Sequence, residues 1–326
     1  MKKKILKFLK NNTDKYYSGT KISKKLGVSR TAVWKIINKL RKSGYKIDSV
    51  SSKGYKLVSG YKGLNEEELS LIVEKYDFLD YSFYHKSIDS TNDFLKRKSE
   101  EFKNENLICI SDIQIKGKGR LGRNWQSENG LYMSYLLRPN INPLYATLFT
   151  QIGAAAVVKT FDKLTDLEVK IKWPNDIVVN HKKICGILTE MDAELNQLNY
   201  LILGIGINLN NKEFNDELKD KATSYYLETG NNLSKKVFLE TFLNYLDVLL
   251  NDYLKKDNIN TSLKVCKDYS NVISKKVRLI NKNSKRIVKV LDINEKGQLV
   301  VLNENDEKEV IFTGEISIRG LNQKYI

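Results

Sequence analysis

The positive charge of the 326-residue chain is concentrated at its N-terminal end. Residues 1–60 contain fifteen lysines and two arginines against only Asp14 and Asp48, whereas the remaining 266 residues hold 38 basic and 37 acidic side chains. This division predicts a small polyanion-binding unit joined to a nearly neutral body, and the length allows two or three domains. Codon bias toward lysine is the alternative, although bias would spread the charge along the whole chain.

The spacing of apolar residues in this basic segment predicts a winged helix-turn-helix. The helix-turn-helix is expected at about 19–38, with a glycine turn at Gly27 and a second helix capped by Ser29. An alternating hairpin that turns around Lys53 would form the wing. The apolar positions expected to build the helical core are Ile5, Phe8, Leu9, Ile22, Leu26, Val28, Val33, Ile36, Ile37 and Leu40.

The outward face of the second helix predicts contact with DNA. Arg30 or Thr31 would reach base edges, while the lysines would hold phosphates. The predicted DNA-binding residues are Ser29, Arg30, Thr31, Trp34, Lys35, Lys39 and the wing residue Lys53. Such a unit usually binds a two-fold site as a dimer. A winged fold that serves only protein contacts or dimerisation is the alternative.

Several classes of protein are disfavoured by composition. The sequence lacks a run of about 18 apolar residues and its lysine-rich start does not resemble a secretion signal, so we expect a cytoplasmic protein without a membrane partner. Cys109, Cys185 and Cys266 are widely spaced, which favours buried free thiols over disulfides or a zinc site. With His85 and His181 as its only histidines, the chain is a poor candidate for a histidine-based metallohydrolase.

From about residue 61 the pattern changes to a mixture of helices and strands. We expect helices near 65–76, 91–103, 143–164 and 234–255. Before the second of these, Ser90, Thr91 and Asn92 offer two hydroxyls and an amide at the start of a helix. They are binding candidates, and an ordinary helix N-cap is the alternative.

The segment from Gly117 to Arg123 combines three glycines with three basic side chains. Glycines let backbone N–H groups approach oxygen anions, and Lys118, Arg120 and Arg123 supply cations for a carboxylate and a phosphate. Such a loop can close over an anionic intermediate and exclude water. The glycines also satisfy GxGxxG, but the expected helix does not follow, so we reject a dinucleotide-binding fingerprint.

Two further apolar stretches carry polar or glycine positions. VKIKWPNDIVVNHKKICGILTE predicts two apolar strands joined around the turn Trp173–Asp176, with Lys172 and Lys183 inside them. A lysine in an apolar strand needs an anionic partner, so Lys183 is a candidate for binding a ligand carboxylate. In LILGIGINLN, Gly204 and Gly206 would let a flat ligand approach the backbone.

These motifs together resemble one family. STN, GKGRLGR with a following Trp, KWPND, KxxGIL and GIGIN occur in the order seen in biotin–protein ligases, and the whole chain is similar to the bifunctional type that is also the biotin operon repressor. The resemblance implies a multidomain α/β (α+β) fold. A winged helix-turn-helix at 1–60 and a central mixed-sheet catalytic domain at 61–271 would precede a small SH3-like β-barrel at 272–326, where short alternating strands agree with that ending.

The resemblance also implies roles for individual residues. Biotin would be held by Ser90, Thr91, Asn92 and Gln114 at its ureido ring, and by Lys118, Gly119, Arg120 and Lys183 near its carboxylate. ATP or the adenylate would be held by Gly117, Lys118, Arg120, Arg123, Trp125, Lys172, Asn175 and Asn208, and the catalytic residues would be Lys183, Arg120, Lys118 and Asp176. The family has arginine where Lys118 and Leu121 stand here, and a lysine lacks bidentate geometry, which puts tight retention of the intermediate in doubt.

The implied reaction is ATP-dependent and needs no covalent enzyme intermediate. Biotin would form biotinyl-5'-AMP with Mg²⁺ present, and a lysine of the biotin carboxyl carrier protein of acetyl-CoA carboxylase or a related carboxylase would then attack it. Asp176 would orient or deprotonate that lysine or help to bind the metal, although a plain Asn-Asp turn is the alternative. Arg319 is a further candidate for reaching the active site.

The implied regulation couples this chemistry to transcription. The adenylate-bound protein would form a homodimer on biotin operator DNA, and unliganded acceptor protein would compete for the same surface. Two other readings stay open: ligation of lipoate or another acyl group, and a biotin-sensing repressor whose ligase domain is inactive.

Overall fold

The computed structural model describes residues 1–126, 128–195, 197–280, 285–312 and 317–321. Its contacts divide the chain into two units, residues 1–77 and residues 78–326.

The first unit contains the predicted helix-turn-helix and wing. Its elements are α1 (Lys2–Lys10), α2 (Gly19–Leu26), α3 (Arg30–Lys42), β1 (Lys46–Val50), β2 (Gly54–Ser59) and α4 (Glu66–Val73). Ser18 and Ser29 cap α2 and α3, each accepting a backbone N–H at 3.1 Å, and Gly27 ends α2 at a φ of +66°. The expected Ser29 cap is therefore confirmed. The core contains Ile22, Val33, Ile37 and Leu40, while Leu26, Val28 and Ile36 pack against it.

Helix α4 is held in the first unit by charge. Glu68 is only 1% exposed, and its carboxylate lies 2.6 Å from Lys10 Nζ and 2.9 Å from the Tyr45 hydroxyl. Glu67 and Glu74 form further ion pairs with lysines of α1. The acidic helix thereby extends this unit beyond residue 60, where we expected the first domain to end. The bounds of the three domains stay predictions.

The second unit is built on a seven-stranded mixed sheet. Its strands are β3 (Tyr81–Ile88), β4 (Leu107–Gln114), β5 (Leu131–Leu137), β6 (Lys170–Lys172), β7 (Asp176–Val179), β8 (Lys182–Glu194) and β9 (Gln197–Ile207). The spatial order is β3-β4-β5-β9-β8-β7-β6, and β3 and β4 pair in parallel while the other neighbours are antiparallel. In the β8–β9 pair, Gly186 lies opposite Gly206. This register brings two glycines side by side on the sheet.

The WPND segment differs from the expectation of two strands. The expected turn at Trp173–Pro174–Asn175 connects β6 to the short strand β7. A second turn connects β7 to β8 at Asn180 and His181, which both have positive φ. Three strands form instead of two because the asparagine and histidine adopt the left-handed conformation that a tight reversal needs.

Helices cover this sheet near the expected positions. They are α5 (Thr91–Lys98), α6 (Leu148–Leu164), α7 (Tyr225–Thr229), α8 (Lys235–Lys256) and α9 (Asn260–Asp268). The helix expected at 91–103 ends at Lys98, and the one expected from 143 begins with a 3-10 turn at Pro143–Tyr145. The span Pro143–Leu164 is apolar enough to cross a membrane by composition, but 78% of its most apolar window is buried inside the protein. It is the central core helix, packed against α8.

The C-terminal strands form a small antiparallel sheet. They are β10 (Lys276–Ile280), β11 (Lys285–Ile293), β12 (Leu299–Leu302), β13 (Lys308–Ile311) and β14 (Ser317–Arg319), in the order β13-β12-β11-β10-β14. Among the described residues β13 and β14 do not pair, so the expected barrel is present as an open sheet. It packs on the central sheet through Trp173, whose indole N–H donates to the Gly297 carbonyl at 2.9 Å.

Candidate functional site

The Ser-Thr-Asn turn forms a buried polar pocket floor. Ser90 caps α5, and the Thr91 backbone N–H and hydroxyl donate to Gln114 Oε1 at 2.8 and 3.0 Å. The Asn92 amide donates to Glu190 at 2.6 Å, and the Ser134 hydroxyl lies 2.7 Å from Thr91 Oγ1 and 2.5 Å from Asn92 Oδ1. The turn is therefore more than a helix cap, because its side chains are fixed by neighbours on three strands.

The glycine-rich loop is folded across this pocket and anchored at both flanks. Lys118 Nζ lies 2.7 Å from Asp93 Oδ1 on α5, and Arg120 donates to Asn175 Oδ1 at 2.8 Å in the WPND turn. The backbone of Gly119 donates to the Arg123 carbonyl at 2.7 Å. A 3-10 turn at Arg120–Gly122 follows, and no α-helix opens there within the described residues. That geometry agrees with the rejection of a dinucleotide fingerprint.

Trp125 lies on the two facing glycines of the central sheet. A Cβ atom added at Gly186 would lie 2.6 Å from its ring, and one added at Gly206 would lie 2.8 Å from it. Lys183 Nζ is 4.9 Å from the ring centroid, a cation–π distance. Gly206 therefore makes room for an indole, whereas Gly204 makes room for the Asn92 amide. We had expected both glycines to admit a flat ligand.

A cluster of cationic groups surrounds Asp176. Lys183 Nζ lies 2.5 Å from Asp176 Oδ1, and Lys172 is only 4% exposed. Burial lowers the pKa of the Lys172 amine to about 7. Asp176 opposes this shift, while Arg319, Lys183 and Arg123 reinforce it. An anionic ligand placed here would stabilise the protonated amine.

Two adjoining cavities receive most of the predicted ligand residues. The smaller one is lined, among others, by Ser90, Thr91, Asn92, Gln114, Lys118, Gly119, Arg120, Trp125, Asn175 and Lys183. The larger one, of about 320 Å³, is lined by Gly119, Arg120, Arg123, Trp125, Lys172, Asn175, Asp176, Lys183, Asn208 and Arg319, together with Phe214, Leu218, Lys221 and Ala222. Gly117 lines neither cavity, but its carbonyl accepts a hydrogen bond from the backbone N–H of Trp125 at 2.9 Å.

Some residues of the site were not predicted. Asp93, Ser134 and Glu190 contact predicted residues through strand and helix neighbours that lie far apart in sequence. The apolar side chains Phe214 and Leu218 come from the loop after β9, which carries no recognisable motif. These residue types are common throughout the sequence, so nothing in their local sequence indicated that they belong to the site.

Metal binding has limited support from the protein alone. Within the described ranges, three or more histidine, cysteine, aspartate or glutamate residues do not cluster in a metal-binding arrangement. Asp176 is the one carboxylate lining the larger cavity in the described part of the chain. The cysteines Cys109, Cys185 and Cys266 are buried and unbonded to one another, as expected.

The basic residues of the first unit separate into two groups. Lysines of α1 are paired with α4, as in the Lys7–Glu74 contact at 2.8 Å. On α3 and the wing, the predicted DNA-binding residues are all exposed, and Trp34 is 54% exposed. These residues are Ser29, Arg30, Thr31, Trp34, Lys35, Lys39 and Lys53. The structure thus offers a basic face with an exposed aromatic ring.

Comparisons with known proteins agree with this arrangement. Residues 84–208 match the Biotin/lipoate A/B protein ligase family, and residues 2–56 match an HTH domain. The Bifunctional ligase/repressor BirA of Bacillus subtilis is 34% identical over 323 residues, covering 98% of both chains. The Escherichia coli protein of that name is 27% identical over 97% of this chain and 96% of its own. The biotin protein ligase of Aquifex aeolicus, solved with biotin and ATP, has a TM-score of 0.62 and 31% identity, covering 74% of this chain and 100% of that chain.

Proposed function

The chain belongs to the bifunctional biotin–protein ligase and repressor family, and on that premise we propose how its own residues carry out both activities. It ligates biotin to protein with ATP and biotin as substrates, and it represses transcription through its helix-turn-helix. The observation that carries the proposal is the meeting of the polar turn, the basic loop and Lys183 at two adjoining cavities.

The smaller cavity would hold biotin. The polar turn of Ser90, Thr91 and Asn92, with Gln114, offers the donors and acceptors that a ureido ring requires. Lys118 and Arg120 line the same cavity and would neutralise the ligand carboxylate. A ligand without a ureido group would offer this buried polar floor no N–H or C=O to exchange hydrogen bonds with, which favours biotin over lipoate.

The larger cavity would hold ATP and then the adenylate. Asn208 is buried and, within the described chain, its Oδ1 has no hydrogen-bond partner, so it can accept a bond from the adenine amino group. Phe214 and Leu218 supply an apolar wall for the base. The phosphates would face three cations, Lys172, Arg123 and Arg319. Arg319 does not belong to any of the family motifs and was named from the sequence only as a further candidate.

The reaction follows from these positions in two balanced steps. A carboxylate oxygen of biotin attacks the α-phosphorus, the bond to the bridging oxygen breaks and pyrophosphate leaves. Lys183 and Arg120 stabilise the charge that builds up. The acceptor lysine nitrogen then attacks the acyl carbon, AMP leaves with the oxygen that linked it to the acyl carbon, and the proton lost by the amine passes to water. Asp176 is the carboxylate that would orient that amine.

We also propose Mg²⁺ as the companion of ATP. Mg²⁺ commonly binds through one or two carboxylates together with substrate phosphates, and Asp176 in the larger cavity fits that pattern. The ion would neutralise phosphate charge. Its main ligands would come from the nucleotide, because the described residues hold no metal-binding cluster.

We also propose the identity of the acceptor protein, of the DNA site and of the assembly that binds it. The acceptor would be a lysine of the biotin carboxyl carrier protein, and the DNA would be a biotin operator bound by a homodimer once the adenylate forms. Arg30 and Thr31 would reach base edges while Lys35, Lys39 and Lys53 hold phosphates. We place the protein in the cytoplasm, where its buried thiols would stay reduced.

The test is pyrophosphate release and transfer of labelled biotin to a purified carrier domain, with ATP, Mg²⁺ and lipoate as the competing acid. We expect labelling that depends on biotin and not on lipoate. Biotin binding without adenylation would favour a sensor with an inactive ligase domain, whereas preferential use of lipoate would overturn the substrate assignment. Operator binding with and without adenylate then tests the coupling.

A further inference from the structure

We propose that Asp93 is a positioning residue that ties the glycine-rich loop to helix α5 and thereby slows release of the biotinyl-adenylate. The proposal rests on the function proposed above. Asp93 contacts Lys118 at 2.7 Å but lines neither of the two cavities, so it would act through the lysine instead of touching the ligand.

Several contacts hold the glycine-rich loop, and the one made by Asp93 differs from the others. At one flank Arg120 is bonded to Asn175, and beyond the loop Trp125 lies on the glycines of the sheet. Both Arg120 and Trp125 line the cavities, so ligand binding would change their contacts. The Lys118–Asp93 pair is the anchor whose acidic partner lies outside the cavities, and it can persist while a ligand is bound.

The chemistry of lysine allows both roles at once. An ammonium group has three donors, so one N–H can remain on Asp93 while the others point at a ligand anion. Asp93 also raises the pKa of Lys118 through their hydrogen bond, opposed by partial burial and reinforced by Glu190 and Asp89. Because Asp93 is in the first turn of the helix that begins at Thr91, it links the loop to the turn proposed to hold the ureido ring.

The expected change in the rate of adenylate release follows from the solvent exposure of the Lys118–Asp93 pair. The side chains of Lys118 and Asp93 are 48% and 26% exposed, which makes the pair solvent-screened. Exposed pairs contribute little, so loss of this pair should accelerate release by about 2- to 5-fold. The effect should also shrink with salt, because the screening length falls from about 10 Å at 0.1 M to about 3 Å at 1 M.

The experiment measures dissociation of labelled biotinyl-adenylate, formed on the full-length protein, into an excess of unlabelled biotin and ATP. Asp93→Asn should release the label faster than wild type at low salt and at the wild-type rate at high salt, while Asp93→Glu should stay near wild type. Glu101→Gln is the matched control. It also removes a carboxylate that is paired with a lysine, Lys98 at 2.5 Å, but this pair does not involve the loop. An Asp93→Asn rate equal to or slower than wild type at low salt, or an acceleration that does not depend on salt, would overturn the proposal.

A second readout separates this proposal from the proposed function. Cleavage by trypsin after Arg120 requires the loop to open locally and break the hydrogen bond from the Gly119 backbone N–H to the Arg123 carbonyl, so cleavage of the ligand-free protein reports opening without any chemistry. Asp93→Asn should be cut faster than wild type and Glu101→Gln should not. If Asp93→Asn is cut faster but the wild-type protein forms no adenylate, the ligase proposal is rejected and the anchor is supported. If Asp93→Asn is cut at the wild-type rate, the anchor is rejected.

Discussion

Replacing Lys183 by methionine should abolish most of the adenylation activity while leaving the fold intact. The lysine ammonium lies 2.5 Å from Asp176 and 4.9 Å from the Trp125 ring, at the junction of the two cavities. Removal of one preorganised cationic donor from such a site commonly slows the chemical step by about 100- to 1,000-fold. We therefore expect a loss of this size in pyrophosphate release and in biotin transfer.

The same substitution has a predictable effect on stability. Loss of one partner from a buried ion pair costs about 3–5 kcal/mol. Here the side chains of Lys183 and Asp176 are 23% and 14% exposed, so solvent reduces the penalty to about 1–3 kcal/mol. The double variant Lys183→Met/Asp176→Asn removes the unpaired charge and should recover part of the melting temperature without recovering adenylation.

The control uses the neighbouring residue of the same strand. Lys182 donates to the Lys219 carbonyl at 3.0 Å and lines neither cavity, so Lys182→Met should keep near wild-type rates. Rates are measured by stopped-flow pyrophosphate release and stability by thermal unfolding. If Lys183→Met retained full adenylation and transfer rates, the role of this lysine in charge stabilisation would be refuted.

Three further predictions address other parts of the molecule. Gly204→Ala would push a methyl group into the Asn92 amide, and overpacking of about 1–3 kcal/mol should weaken biotin binding by about 5- to 150-fold in calorimetry; unchanged affinity would contradict the packing. Because anion binding raises the pKa of Lys172 from about 7, ATP binding takes up a proton, so affinity should fall as pH rises above 7 and should fall less in Lys172→Met; parallel pH profiles would count against it. Lys35→Ala should weaken operator binding and lower the salt slope by about 1, whereas Lys7→Ala, whose lysine is paired within its own unit, should change neither in a salt titration.

The parts of the fold governed by local chemistry could be predicted from the sequence. Ser29 caps its helix because a serine before an amphipathic run satisfies a free N–H, and that signal lies within four residues. The loop at Gly117–Arg123 could be recognised from its composition in the same way. By contrast, the second turn at Asn180 and His181 was missed because those residues also fit a continuing strand until their positive φ angles are known.

The parts governed by long-range pairing could not be predicted. Glu190 reaches Asn92 because β8 pairs with β9, and Ser134 reaches the same amide from β5. A one-residue change of register would point either side chain to the other face of the sheet. The ion pairs that join the acidic helix α4 to α1 are a further example, because they link residues some sixty positions apart in the chain.

Two cations of the site already have partners within the protein, and this affects what a binding measurement reports. Lys183 is bonded to Asp176 and Arg120 to Asn175, and both cations are proposed to turn toward substrate anions. Substrate binding would then exchange one partner for another, so the measured affinity reports the difference between the two partners. As charge grows on the α-phosphate, the substrate competes better for these cations than it does in the ground state. An enzyme arranged in this way would bind its substrates modestly and the transition state of adenylation more tightly, because the exchange becomes favourable only as charge builds up on the α-phosphate.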